Sequence, residues 1–297
     1  MAIQETRAGG PKDMKTKESR LTVLYFAMTF ALSWALFIPA AIYYKGSITP
    51  ATAFNKPVFV LLQSLGAAVP SLTAIFLIRC FYGKALLKEV FKRYKIWKLG
   101  IRWYVYSVFL YPLLTWVSIS IYLFSNGRPF RLDPETSFGN MLNTLGIFVI
   151  VILPVIYLSQ IFTSPLLEEL GWRGLALPLL QKKFNALTSS IIIGLAWGVW
   201  HLPLAYLYHP DFSFLSVLMT VDMVAISIIM TWVFNSTMGS MLTALLFHAS
   251  LNISIMVFDA GQPGWIAHCL AWLAALTLLF IYGPENLSSK GRITDIT

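Results

Sequence analysis

Three polar patches interrupt the hydrophobic C-terminal half of this 297-residue chain. Glu168 and Glu169 stand side by side in Glu-Glu-Leu-Gly-Trp-Arg, with Arg173 four residues beyond the second carboxylate. His201 ends the run Trp-Gly-Val-Trp-His, four residues after Trp197, and His248 precedes Asn252 by four on a later apolar stretch. Ionisable side chains at bilayer depth are expensive, so they mark chemistry or transport. A carboxylate beside an imidazole can hold a water and take its proton, and two further donors can stabilise the oxyanion formed when that water attacks an amide. Those are the parts of a hydrolase, and no serine or cysteine nucleophile stands out next to a histidine.

The elements that carry these groups must be helices. Two readings fit the stretch around Thr163-Ser164-Pro165: a helix begins there, with Ser164 as cap and Pro165 in its first turn, or one helix runs through Pro165 and is kinked. In either case neighbouring residues on a helix point about 100° apart, so the two glutamates meet different partners. Arg173, one turn after Glu169, can pair with it, which leaves Glu168 for a cavity. His248 and Asn252 share a helical face, and Trp197 is placed to wall the pocket beside His201. Counted from the nearest polar ends at 1.5 Å per residue, His201 lies roughly 24 Å along its helix, Glu168 roughly 21 Å and His248 roughly 14 Å, so the three can share a layer.

Composition sets the surroundings. With a mean hydropathy of +0.70 and 12% charged residues, the chain reads as an all-α polytopic membrane protein. Apolar segments near 21–44, 57–80, 103–124, 141–163, 187–208, 213–234, 239–258 and 264–282 predict about eight crossings. Prolines 39, 70, 112 and 154 fall inside four of them, which requires neighbours to satisfy the carbonyls they free. Of 22 lysines and arginines, 18 fall in the tails and alternate loops on one side, against Lys45, Lys56, Arg128 and Arg131 on the other. Both termini are therefore expected in the cytoplasm. The net charge of +9 is explained by this topology rather than by nucleic-acid binding. Residues 83–102 alternate basic and apolar side chains like an interfacial helix anchored among lipid headgroups. The first 20 residues are polar and lack the apolar core of a secretory signal. Cys80 and Cys269, far apart, are expected to be packing residues.

The three patches resemble the motifs of the CAAX protease and bacteriocin-processing (Abi) family of intramembrane endopeptidases, which includes the type II CAAX prenyl endopeptidases. Glu168, Glu169 and Arg173 match its first motif and His248 with Asn252 its third. The second is matched by Trp197 and His201, with tryptophan where phenylalanine is usual. The resemblance covers residues 140–260 or so. It implies that Glu168 activates water with help from His201, while His248 and Asn252 stabilise the tetrahedral intermediate; the compact length and the lack of an obvious organelle address point to a cell membrane of prokaryotic type. The domain plan it implies is a polar tail at 1–20, N-terminal membrane helices at 21–135, a catalytic membrane core at 136–283 and a cytoplasmic tail at 284–297. The substrate it implies is a hydrophobic or lipidated, prenylated peptide. No cofactor is favoured, since His-Glu-x-x-His is absent, although Glu168, His201 and His248 could alternatively ligate zinc.

Two other functions fit the same residues. In a secondary transporter, Glu168, Asp222 and the histidines would form an ion path, though no inverted repeat is visible. A non-catalytic, immunity-like membrane protein would keep the fold without chemistry. Asp222, in the sixth segment, is expected to pair with a neighbouring helix, His268 to lie at the interface and Asn235 to end a helix. His209 and Asp211 are expected to be solvated in an exterior loop.

Overall fold

The computed structural model describes residues 11–45, 47, 55–127, 143–208, 214–258 and 265–296. Among the described residues there are helices and turns and no strand. In chain order they form α1 (Pro11–Tyr44), α2 (Pro57–Lys92), α3 (Ile101–Ser125), α4 (Val149–Ile161) and α5 (Ser164–Glu169). A π-helical stretch (Leu170–Ala176) leads into α6 (Leu177–Gln181), followed by α7 (Ala186–Trp200), α8 (Leu202–Tyr208), α9 (Phe214–Ser236), α10 (Met241–Phe258) and α11 (Trp265–Asn286).

Six helical stretches are long and apolar enough to cross a bilayer, and Thr220–Ser236 and Met241–Ile255 are shorter apolar helices. Together they fall on the eight segments that hydropathy predicts, in an all-α, multi-pass membrane protein. Boundaries differ where helices outrun their apolar cores. α1 starts at Pro11 and α2 continues to Lys92, because backbone hydrogen bonding does not stop at the bilayer edge. Large apolar side chains such as Phe124, Ile150 and Phe280 are exposed around the bundle, as a lipid-facing surface requires. Cys80 and Cys269 lie on the exposed surface, not in packing positions; in lipid a thiol is a small apolar group and needs no burial in protein.

The prolines explain how the helices are stitched together. Pro70 has no N–H for the carbonyl of Gly66, and the hydroxyl of Ser33 on α1 donates to that oxygen at 2.8 Å. Pro112 likewise frees the carbonyl of Val108, and Ser250 on α10 donates to it at 2.6 Å. Each lost helical bond thus becomes a bond between helices. Glycines bring other pairs close. A Cβ on Gly194 would lie 2.5 Å from Val224 Cα, and one on Gly198 would lie 2.7 Å from Thr220 Cα, so α7 and α9 meet backbone to backbone. A Cβ on Gly171 would lie 2.6 Å from the carbonyl of Pro70, which seats the π-helical stretch against α2.

The basic segment after Gly83 is an extension of α2, redirected by a φ of 83° at that glycine. Lys84, Lys88, Lys92 and Lys95 face outward, while Val90 is buried. Arg93 departs from that pattern: it is buried, donates to the carbonyl of Asp295 and lies over the Phe234 ring. The last residues pack against the same end of the bundle. Gln181 and Asn235 exchange side-chain amide hydrogen bonds at 3.1 and 2.8 Å, and Asn235 also donates to the carbonyl of Asn286 and accepts from the N–H of Ile293. Asn235 stands where α9 ends, as expected, and its side chain is a buried tether for the C-terminal segment. A side chain able to donate and accept at once is used where two chain segments both present unpaired backbone groups.

Gly194→Ala is expected to lower the stability of the detergent-solubilised protein by roughly 1–3 kcal/mol, since its methyl would strike backbone. Gly100→Ala, which meets open space at that glycine, should leave the midpoint unchanged when both are followed by thermal unfolding.

Candidate active site

The helix breaks before the site. Thr163 adopts φ −93° and ψ −132°, so α5 begins afresh at Ser164 with Pro165 in its first turn, and the continuous kinked helix does not form. Ser164 is not the cap it is expected to be. Thr163 occupies that position and makes no capping bond, and Ser164, one residue inside the helix, points across the bundle. Its Oγ accepts from Asn252 Nδ2 at 2.9 Å and lies 3.4 Å from His248 Nε2.

The two adjacent carboxylates part company as helical geometry demands. Glu168 Oε2 accepts from the indole N–H of Trp197 at 2.9 Å. Glu169 Oε1 accepts from Arg173 Nη1 at 3.1 Å and faces His248 Nδ1 at 2.8 Å. Arg173 also places Nη2 3.1 Å from Met230 Sδ, and its guanidinium lies 4.9 Å from the centre of the Trp197 ring. All four charged or titratable groups here are sealed off: Glu168 and His248 are 2% and 3% exposed, Glu169 and Arg173 fully buried. Only mutual pairing makes such a cluster tolerable in a medium without water.

His201 forms the C-cap of α7, and its Nδ1 sits 2.8 Å from the carbonyl of Trp197. A carbonyl can only accept, so Nδ1 carries the hydrogen and the lone pair of the neutral ring is on Nε2. Among the described residues no hydrogen bond joins Glu168 to His201. Trp197 connects them, giving its indole N–H to one and its carbonyl to the other, while its ring packs edge-on against His248 at 5.2 Å. Trp200 closes the other side of His201 at 4.7 Å.

Structure therefore brings Glu168, Glu169, Arg173, Trp197, His201, His248 and Asn252 into one neighbourhood, and it adds Ser164. Sequence offered a sign of Ser164 that spacing alone undersold: it precedes Glu168 by four residues and so shares its helix face. Asp222 is not part of this neighbourhood. Its Oδ2 pairs with His268 Nδ1 at 2.6 Å, joining α9 to α11 as a helix-pairing residue would. His209 and Asp211 lie outside the described residues. Among the described residues no three His, Cys, Asp or Glu side chains are grouped to hold one metal ion. Beside the site, α2 and the Leu166, Leu167 and Leu170 side chains enclose an apolar cavity of about 370 Å³ that Ser71, Phe91 and Tyr94 also line.

Residues 150–254, which contain all of these site residues, match the family described as Type II CAAX prenyl endopeptidase Rce1-like. Across most of its length the chain is also similar to the CAAX prenyl protease 2 of Methanococcus maripaludis, with 24% identity over 282 residues, covering 90% of this chain and 96% of the relative.

Because Glu169 compensates both Arg173 and His248, Glu169→Ala is expected to destabilise the fold by roughly 3–5 kcal/mol, the size found when a buried ion pair loses one partner. Glu168→Gln, which keeps an acceptor for the Trp197 indole, should shift the unfolding midpoint far less; denaturation in detergent compares the two.

Proposed function

We propose that this multi-pass membrane protein, whose residues 150–254 match the type II CAAX prenyl endopeptidase Rce1-like family, is an intramembrane endopeptidase acting on a hydrophobic or prenylated substrate through water activated by Glu168. The observation that carries the mechanism is the division of labour between the two neighbouring carboxylates. Glu169 is consumed in holding Arg173 and His248, whereas Glu168 keeps a single indole donor and remains able to accept a proton.

In this mechanism a water lies between Glu168 and the Nε2 lone pair of His201. Glu168 takes its proton as the oxygen attacks the scissile carbonyl carbon. The oxyanion that results accepts hydrogen bonds from Asn252 Nδ2 and from a hydrogen on His248 Nε2, with Glu169 holding the other ring nitrogen. As the tetrahedral intermediate collapses, the proton held by Glu168 passes to the leaving nitrogen, the C–N bond breaks, and the carboxylate is restored.

The apolar cavity beside Leu166 and Leu170 supports a lipidated substrate, because it offers hydrocarbon a dry wall next to the polar site. The basic surface of Lys84, Lys88 and Lys92 supports an orientation in which the loops on that side and both termini face the cytoplasm. A metal-free reaction follows from side chains that can serve as base, acid and oxyanion donors by themselves.

Glu168→Gln is expected to lower kcat/KM by roughly 10²–10⁴, the range of a general base. His248→Ala and Asn252→Ala should each lower kcat by roughly 10²–10³, as loss of an oxyanion donor does. Purified protein in detergent with a prenylated C-terminal peptide measures all three, and full activity in Glu168→Gln would exclude this mechanism. Exhaustive chelation should leave cleavage intact. Activity that vanishes and returns only with zinc would assign Glu168, His201 and His248 to a metal instead.

A further inference from the structure

We infer that Ser164 is a positioning residue of the hydrolytic site, whose hydroxyl keeps His248 Nε2 and Asn252 Nδ2 aimed at the point that the substrate oxyanion later occupies. The inference rests on the endopeptidase reading above and deepens it.

Serine and threonine in apolar helices ordinarily return their hydroxyls to a carbonyl one turn back, as Ser189, Ser190, Thr237 and Ser254 do in this protein. Ser164 has no such option. The carbonyl one turn before it belongs to Gln160, which already accepts from the backbone N–H and the hydroxyl of Thr163. The break at Thr163 then turns the Ser164 hydroxyl away from its own chain and toward α10.

There its hydroxyl, which can both donate and accept, lies 3.4 Å from His248 Nε2 and accepts from Asn252 Nδ2 at 2.9 Å, two partners 84 and 88 residues away in sequence. A tetrahedral intermediate's oxyanion needs donors at about 2.7–3.1 Å, so the hydroxyl oxygen stands close to that place. His248 cannot tilt freely, because Glu169 fixes its other nitrogen at 2.8 Å; Asn252 has the amide rotor that requires an external partner. Ser164 supplies it. Rotation about one side-chain bond withdraws the hydroxyl when a substrate carbonyl arrives, leaving both donors already convergent. Being one turn before Glu168 on the same helix, Ser164 also links the spacing of the oxyanion donors to that of the proton acceptor.

The test uses the full-length protein in detergent and a prenylated C-terminal peptide, with kcat, KM and the unfolding midpoint measured for Ser164→Ala, Ser164→Thr and Glu168→Gln. Ser164→Ala is expected to lose roughly tenfold in kcat, the worth of one aligning hydrogen bond, with KM within about twofold and the midpoint close to that of the unaltered chain. Ser164→Thr, which restores a hydroxyl, should recover most of that loss. An unchanged kcat in Ser164→Ala, or a loss that tracks the midpoint and is not rescued by threonine, overturns the inference while leaving the water mechanism standing. Ser164→Ala as inactive as Glu168→Gln, together with an acyl group trapped on Ser164 in the unaltered protein, overturns it in favour of a serine nucleophile. Normal cleavage by Glu168→Gln removes the endopeptidase mechanism itself, and the inference falls with it.

Discussion

The carboxylate of Glu169, held between Arg173 on its own rod and His248 on α10, is the interaction on which this structure most depends. It neutralises a guanidinium that has no water to turn to, and it fixes one nitrogen of an imidazole whose other nitrogen faces Ser164. An isolated charge in this interior is penalised by several kcal/mol, on the order of a domain's whole stability. Once Arg173 is buried, the positions of Glu169, His248 and the helices that bear them are no longer independent. The same constraint frees Glu168. A second adjacent carboxylate, turned about 100° away, is left outside the ion pair and accepts from the Trp197 indole.

Hydrogen bonds redirected by proline do for the scaffold what that carboxylate does for the site. Without a hydrophobic drive between helices in lipid, helices are held by close backbone approach and by polar groups that have nowhere else to bond. Ser33 on the Gly66 carbonyl and Ser250 on the Val108 carbonyl are such groups, each answering a proline one turn further on. Gly171, with no side chain, lies against the Pro70 carbonyl, so the rod carrying both glutamates rests directly on α2. A close backbone approach at one proline thus helps place the paired glutamates on another helix.

Much of this was legible in the residues. Hydropathy marks the eight apolar segments because the cost of burying charge is paid residue by residue, and four-residue spacings mark Glu169 with Arg173 and His248 with Asn252 because a helix repeats every 3.6 residues. What could not be read are partnerships across the bundle. Nothing in spacing connects Glu169 to His248, Trp197 to Glu168, or Asn235 to Gln181, since those depend on which helix faces lie opposite. Arg93 illustrates the limit: its neighbours follow the amphipathic pattern of a headgroup anchor, yet it turns inward because Asp295 and Phe234 wait there. Ser164 was read through local capping rules, which stop applying when the helix starts one residue earlier than its sequence suggests.

The π-helical turn at Leu170–Ala176 carries a consequence for how such a chain can change over generations. A wide turn contains a residue that an α-helix would not need, and α-helical rods on its two sides are out of step by one position. Deleting a single residue there would yield a more regular helix, and it would swing Gln181 and its amide contacts by about 100° relative to Glu168. A deletion after Arg173 would leave every motif and every apolar segment intact, yet the alignment between the buried Glu169 cluster and the stitched end of the bundle would be lost. In this stretch, selection must act on the number of residues as firmly as on their kind.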